Sequence, residues 1–377
     1  MTGSSAAADP TRNGGIDALR ASTTLLVVLH HTALTYGAIG GWFYREIATD
    51  RSPSSLLLVL FCTVNQAWFM GLFFLLAGRF TPSSVQRKGR WSFMRDRLLR
   101  LGVPWLVFGF LVGPMTIALA NTVHGKPFID TLLRLWRHGE FEPGPLWFAQ
   151  ALLIFSAVAA CWPWPRETPE ASTPFPSNRI LLISAGACGA VAFALRLVWP
   201  VGSEVAHMQL GYFASYVLLF AVGCMAASRG WFEHLPEPVV RRWRRVAWCV
   251  LPTLLPLAVL SKLVPAFAGA SNGGWTLPAL MYAFWEPFVA WGILLGMLLR
   301  FDRNASQVLP SWKRALARRA YSIFVIHPPV VVAVSLAWRA LPAPPLLKFA
   351  VTGSLACVLC FVIAGWLLRV PGVRRVL

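Results

Sequence analysis

Residues 17–31 read Asp17-Ala18-Leu19-Arg20-Ala21-Ser22-Thr23-Thr24-Leu25-Leu26-Val27-Val28-Leu29-His30-His31. The stretch predicts a membrane helix with a charged foot and histidines inside. Arg20 and His31 are eleven residues apart, and at about 100° per residue a helix returns to within roughly 20° of the same face over that interval. At about 1.5 Å of rise per residue the two side chains stand about 16 Å apart along the axis, so an arginine at the cytoplasmic surface places His31 near mid-bilayer. An ionisable group at that depth is expensive. It is either packing glue, hydrogen-bonded to a neighbouring helix, or a functional group.

The composition supplies the setting. Of 377 residues 56% are hydrophobic and only 13% charged, and the mean hydropathy is +0.59, which excludes a soluble globular protein. Apolar runs recur along nearly the whole chain and leave no soluble domain of useful size. The formal net charge of +19 does not point to nucleic acid, because the basic residues fall between apolar runs and form no continuous patch. Positive-inside topology and contact with anionic membrane lipids account for them. The seven cysteines lie in or at the ends of apolar runs with no metal-type spacing, so no metal is expected. Cys357 and Cys360 form a C-x-x-C inside an apolar helix, outside any thioredoxin-like context. No cleaved signal peptide is expected.

Ten apolar segments follow, near 20–39, 55–78, 101–121, 145–163, 180–199, 210–228, 246–264, 276–299, 320–338 and 348–368. Most Lys and Arg then fall on the side of the two termini, so the expected fold is an all-α integral membrane protein, a single bundle of about ten transmembrane helices, N-in and C-in. Residues 1–15 are expected to be a disordered cytoplasmic N-terminus, 16–370 the membrane domain, and 371–377 a short basic cytoplasmic tail. The stretch 122–144 looks amphipathic and suits the outer interface. The Pro-rich loop 163–178 is expected to be an irregular tether.

Several polar groups can carry chemistry. Arg97 and Arg100, three residues apart before the third segment, share a helix face and suit phosphate, although from their spacing alone a positive-inside anchor is the simpler reading. With Arg20 they could converge on one phosphate group. Trp147, in Gly144-Pro145-Leu146-Trp147-Phe148, opens the fourth segment on the outer side. Glu286 is a lone carboxylate inside the eighth segment and needs a partner. Arg196, Glu204 and His207 bracket the outer end of the fifth segment, where solvated loop charge is the simpler reading. His327, followed by Pro328 and Pro329, reads as a structural histidine beside a proline break, because prolines leave helix carbonyls without donors. Asp17 can pair with Arg20. His30 points about 100° away from His31.

Asp17-Ala-Leu-Arg20, followed by ten residues and then His31, resembles the signature of the acyltransferase family 3 membrane proteins. Phe73-Phe74-Leu75-Leu76-Ala77-Gly78, Arg97-x-x-Arg100, Gly144 to Phe148 and Tyr321-Ser-Ile-Phe-Val-Ile-His327-Pro328 resemble the same family in the same order, so the likeness covers essentially the whole chain. Arg79 and Phe80 depart from the usual continuation of the second block. The nearest likeness is to stand-alone members similar to glucan succinyltransferases. The resemblance implies a multi-pass protein of the bacterial inner membrane that moves an acyl group, acetyl or succinyl, from cytoplasmic acyl-CoA to a hydroxyl of an extracytoplasmic glycan. In that reading His31 is the general base and Arg20, Arg97 and Arg100 hold CoA phosphates. Trp147 and Glu286 stand on the substrate side. A proton-coupled exporter of a sugar or organic acid, with His31 and Glu286 as a relay, is the rival from another class.

Overall fold

In a computed structural model of the chain, residues 14–164, 173–232, 235–263, 269–303 and 310–377 are described, without the side chains of 260–263. All but residues 14 and 15 of the expected disordered N-terminus, and the centre of the Pro-rich loop, 165–172, lie outside that set.

The described residues form helices and no strand: α1 (Gly14–Thr35), α2 (Pro53–Lys88), α3 (Arg90–Arg97), α4 (Val103–Val107), α5 (Gly113–Asn121), α6 (Phe128–Arg137), α7 (Trp147–Cys161), α8 (Asn178–Val198), α9 (Phe213–Arg229), α10 (Glu237–Val250), α11 (Leu254–Leu263), α12 (Leu277–Asp302), α13 (Ser311–Trp338), α14 (Pro345–Leu367) and α15 (Val373–Val376). Wide π turns at Leu98–Gly102 and Phe108–Val112 join α3, α4 and α5 into one rod. Among the described residues eight helical stretches are long and apolar enough to cross a membrane, and they coincide with the second to sixth and the eighth to tenth apolar segments. The chain is an all-α membrane protein.

The first and seventh segments fall below that standard for visible reasons. In α1, Asp17, Arg20, two histidines and several hydroxyls dilute the apolar content; Thr23, Thr24 and Thr32 return their hydroxyls to the carbonyls of Leu19, Arg20 and Val28, which satisfies them inside the bundle. The seventh segment is divided into α10 and α11 by a 3-10 turn at Leu251–Thr253, centred on Pro252.

Local chemistry sets the boundaries. Ser52 caps α2 by accepting from the Ser55 amide at 3.2 Å, with Pro53 in the first turn. Thr276 caps α12 through the Ala279 amide at 3.2 Å. Helix α1 packs against α2, α12, α13 and α14, so the opening stretch lies inside the bundle. The α2 and α9 backbones touch: a Cβ on Gly78 would meet the Phe220 carbonyl oxygen at 2.2 Å, and one on Gly223 the Leu75 oxygen at 2.2 Å. Helix α6 follows the expected amphipathic pattern, with Leu132 and Leu135 buried and Ile129, Leu133 and Trp136 exposed. Large apolar side chains such as Leu106, Phe110, Ile183 and Val358 face outward, as a lipid-exposed surface requires.

Candidate active site

His31 lies in the penultimate turn of α1 and His327 in the middle of α13. Pro328 has no N–H, so the carbonyl of Phe324, four residues earlier, loses its helical donor. The His327 Nδ1–H takes that place, 2.6 Å from the Phe324 oxygen. A carbonyl only accepts, so this bond fixes the tautomer of neutral His327 and leaves its Nε2 with a lone pair. That Nε2 is 3.0 Å from His31 Nδ1, which also lies 3.0 Å from the Val27 carbonyl oxygen. The His31 Nδ1–H is therefore shared between two acceptors, and the basic lone pair of His31 is on Nε2.

Aromatic rings hold this pair in place. Trp42, in the loop after α1, stacks on His31 with ring centroids 4.2 Å apart and 20° from parallel, and on His327 at 5.9 Å and 11°. His30 stacks on Phe69 at 4.9 Å, and its Nδ1 is buried without a hydrogen-bond partner. It also donates no bond to His327, so its orientation rests on packing.

His30, His31 and Phe324 stand at the inner part of a cavity of about 680 Å³. Its outer lining comes from the loop after α1 (Trp42, Phe43), the entry to α7 (Glu142, Trp147), the α8 to α9 connection (Glu204, His207) and the approach to α12 (Asn272). All four connections lie at the end of the bundle where α1 finishes. Trp147 stacks on Tyr216 at 5.6 Å, and Gln66 donates to the Tyr216 hydroxyl at 2.9 Å. Glu204 and His207 sit in a tight turn closed by backbone bonds between Val205 and Met208, in which His207 has φ 63°.

The arginines occupy the opposite end. Arg20 is exposed and pairs with Asp17 at 3.2 Å. Arg97 lies over the Phe93 ring, 5.0 Å from its centroid. Arg100 is exposed in the first π turn, and its carbonyl accepts from the Tyr321 hydroxyl at 2.8 Å. None of these arginines lines the cavity among its described residues. The C-terminal helix α15, with Arg374 and Arg375, packs against the same π turn and adds positive charge there.

Glu286 departs from its expected place. It does not line the cavity; it is buried and ion-paired with Arg196. Arg196, expected as solvated loop charge, is fully buried. Its Nε donates to the Gly211 carbonyl at 3.1 Å, and its guanidinium lies 5.2 Å and 4.9 Å from the rings of Tyr212 and Tyr282, both of which do line the cavity. The apolar pattern puts Arg196 at the outer end of the fifth segment but does not show that the chain folds back over it. Glu204 and His207, in contrast, are exposed and reach the cavity.

A family model described as acyltransferase domain matches residues 13–365. The chain belongs to acyltransferase family 3. No curated protein and no solved structure matches it. The family region of this acyltransferase contains α1 to α13 entire, and with them both histidines and the cavity.

Proposed function

We propose that this protein is an acyl-CoA-dependent O-acyltransferase of the bacterial inner membrane, with both termini in the cytoplasm, and that it acylates a hydroxyl of an extracytoplasmic glycan. The observation that carries the reading is the His327 to His31 contact of 3.0 Å beside a large cavity. A histidine oriented by a second group, with one nitrogen left basic, is the arrangement a general base requires.

The acceptor hydroxyl enters from the loop end. His31 Nε2 removes its proton as the oxygen attacks the thioester carbonyl. The tetrahedral intermediate collapses, the carbon to sulfur bond breaks, and the leaving thiolate takes the proton back from His31. His327 Nε2 accepts from His31 Nδ1 throughout and so supports the transient imidazolium. Arg20, Arg97 and Arg100 would hold the CoA phosphates at the opposite end. The about 16 Å between Arg20 and His31 along α1 suits the extended pantetheine arm. Trp147 offers an aromatic face to the acceptor, and Glu286 acts on the site through Arg196 and Tyr282.

The test is whether purified protein, without any ion gradient, releases CoA from acyl-CoA and labels glycan in native membranes. An exporter would do neither. Gradient-dependent movement of a sugar or acid without CoA release would overturn the proposal.

A further inference from the structure

Trp42 stands over both imidazoles, yet its indole Nε1 is buried without a hydrogen-bond partner among the described residues. Where the ring sits therefore depends on packing and on the backbone that carries it. That backbone is the connection from α1 to α2, and α14 ties it down at two levels. Thr352 Oγ1 accepts from the Trp338 indole N–H at 3.0 Å and lies 2.9 Å from the Tyr36 hydroxyl. One turn earlier, on the same face of α14, Lys348 is ion-paired with Glu46 and donates to the Arg339 carbonyl at 3.1 Å. Tyr36 and Glu46 bracket Trp42 in the chain, and Trp338 and Arg339 stand at the end of α13, the helix of His327.

The Lys348 contact is built against two costs. The lysine lies in the first turn of α14, at the positive end of that helix dipole, and its side chain is only 5% exposed. The Glu46 carboxylate offsets them, as do the Arg339 carbonyl at the negative end of α13 and the Trp338 ring, 5.4 Å from the ammonium. Apolar side chains would fill the same space as stably. What the ion pair adds is a directional link between the connection, α13 and α14. Neighbouring bonds follow the same plan: the Glu46 and Ile47 amides both donate to the Thr35 carbonyl, at 2.9 and 3.1 Å, and the Tyr44 hydroxyl hydrogen-bonds the Arg339 side chain.

Building on the acyltransferase reading, we infer that Lys348 and Glu46 are positioning residues for the reaction: their ion pair latches the connection from α1 to α2 onto the ends of α13 and α14, so that Trp42 keeps the His31 and His327 rings aligned. Neither side chain lines the cavity among its described residues, so neither meets the reacting atoms there. Their effect passes through the stacked ring of Trp42. A shift of about an ångström in that ring is enough to change the rate, because a misplacement of this size costs about 10²-fold.

A double-mutant cycle in membrane vesicles, with equal amounts of folded full-length protein, tests this. CoA release and acyl transfer to glycan are followed for the wild type, Glu46→Gln, and Glu46→Gln with Lys348→Met, each with and without Trp42→Ala. Glu46→Gln keeps a hydrogen bond to Lys348, and the paired change removes both charges together, so no variant leaves an isolated buried carboxylate. With Trp42 in place the paired change is expected to lower kcat about tenfold, and Glu46→Gln less, while KM for acyl-CoA stays near the wild-type value. In the Trp42→Ala background the same substitutions are expected to change kcat less than about twofold, because the ring they act through is gone. Unchanged kcat in both variants with a lowered unfolding midpoint would make the pair purely structural and overturn the inference. Equal fold losses in the two backgrounds would show an effect that bypasses Trp42, and would overturn it as well. Intact thioester and unacylated glycan with the wild type would overturn the acyltransferase reading, and the inference with it.

Discussion

The Trp42 ring covers both imidazoles of the candidate site, 4.2 Å from His31 and 5.9 Å from His327, nearly parallel to each. One side chain from the loop after α1 thus fixes the planes of two rings on different helices. Reacting groups must be held to within about an ångström, and displacement on that scale costs about 10²-fold in rate. Trp42→Ala is expected to lower kcat about 10²-fold with normal yield and acyl-CoA binding, whereas Trp42→Phe retains most activity. Wild-type turnover by the alanine variant would show that the stack does not orient the base.

His327 has two separable roles. It replaces the donor that Pro328 removes from the Phe324 carbonyl, and it accepts from His31. His327→Ala should lose about 1–3 kcal/mol of stability from the orphaned carbonyl and, independently, reduce kcat of the folded fraction while KM for acyl-CoA stays near the wild-type value. A variant with a lower unfolding midpoint but unchanged kcat would confine His327 to the first role.

Burial of Arg196 and Glu286 makes each dependent on the other. Removing one member of such a pair leaves a buried uncompensated charge, at about 3–5 kcal/mol. Glu286→Ala is expected to depress the thermal unfolding midpoint in detergent strongly, and Glu286→Gln, which keeps a hydrogen bond to Arg196, less so. Wild-type midpoints in both variants would argue that the pair contributes no charge compensation.

Contact between α2 and α9 depends on two missing side chains. At Gly78 and Gly223 an added Cβ would stand 2.2 Å from a backbone oxygen of the facing helix, which cannot rotate away. Gly78→Ala and Gly223→Ala are each expected to cost about 1–3 kcal/mol or more by forcing the helices apart. Midpoints within a degree or two of wild type would mean that the helices separate freely.

At the other end of the bundle, Arg97→Ala with Arg100→Ala is expected to weaken CoA binding about tenfold and to flatten its dependence on salt, because guanidinium to phosphate contacts are charge-assisted. Isothermal titration at two ionic strengths decides this, and an unchanged affinity would refute the phosphate role.

How much of this was legible in sequence differs from residue to residue. Helical segments were readable because apolar runs of membrane length have few alternatives, and Arg20 with His31 because helical periodicity places them on one stripe. His327 was half readable. The adjacent prolines indicated a carbonyl in need of a donor, and Nδ1 supplies it, but nothing local shows that Nε2 meets a residue 296 positions away. Trp42 gave no signal at all, since a tryptophan beyond a helix end reads as an interfacial anchor. The partner of Glu286 was anticipated as a need and not as a residue: Arg196 sits ninety positions earlier, and only the packing of α8 on α12 joins them. Two carboxylates of the cavity lining were hidden for a related reason, because Glu142 and Glu204 come from separate loops within a strongly basic chain.

The central claim is that His31, and not its neighbour His30, is the base. It is tested most directly by acyl transfer from acyl-CoA to glycan in membrane vesicles carrying equal amounts of folded wild type, His31→Ala or His30→Ala protein. The expected result is a loss of about 10²–10⁴-fold for His31→Ala, the range a general base contributes, with substantial transfer kept by His30→Ala. Wild-type transfer by His31→Ala, or a loss confined to His30→Ala, would contradict it.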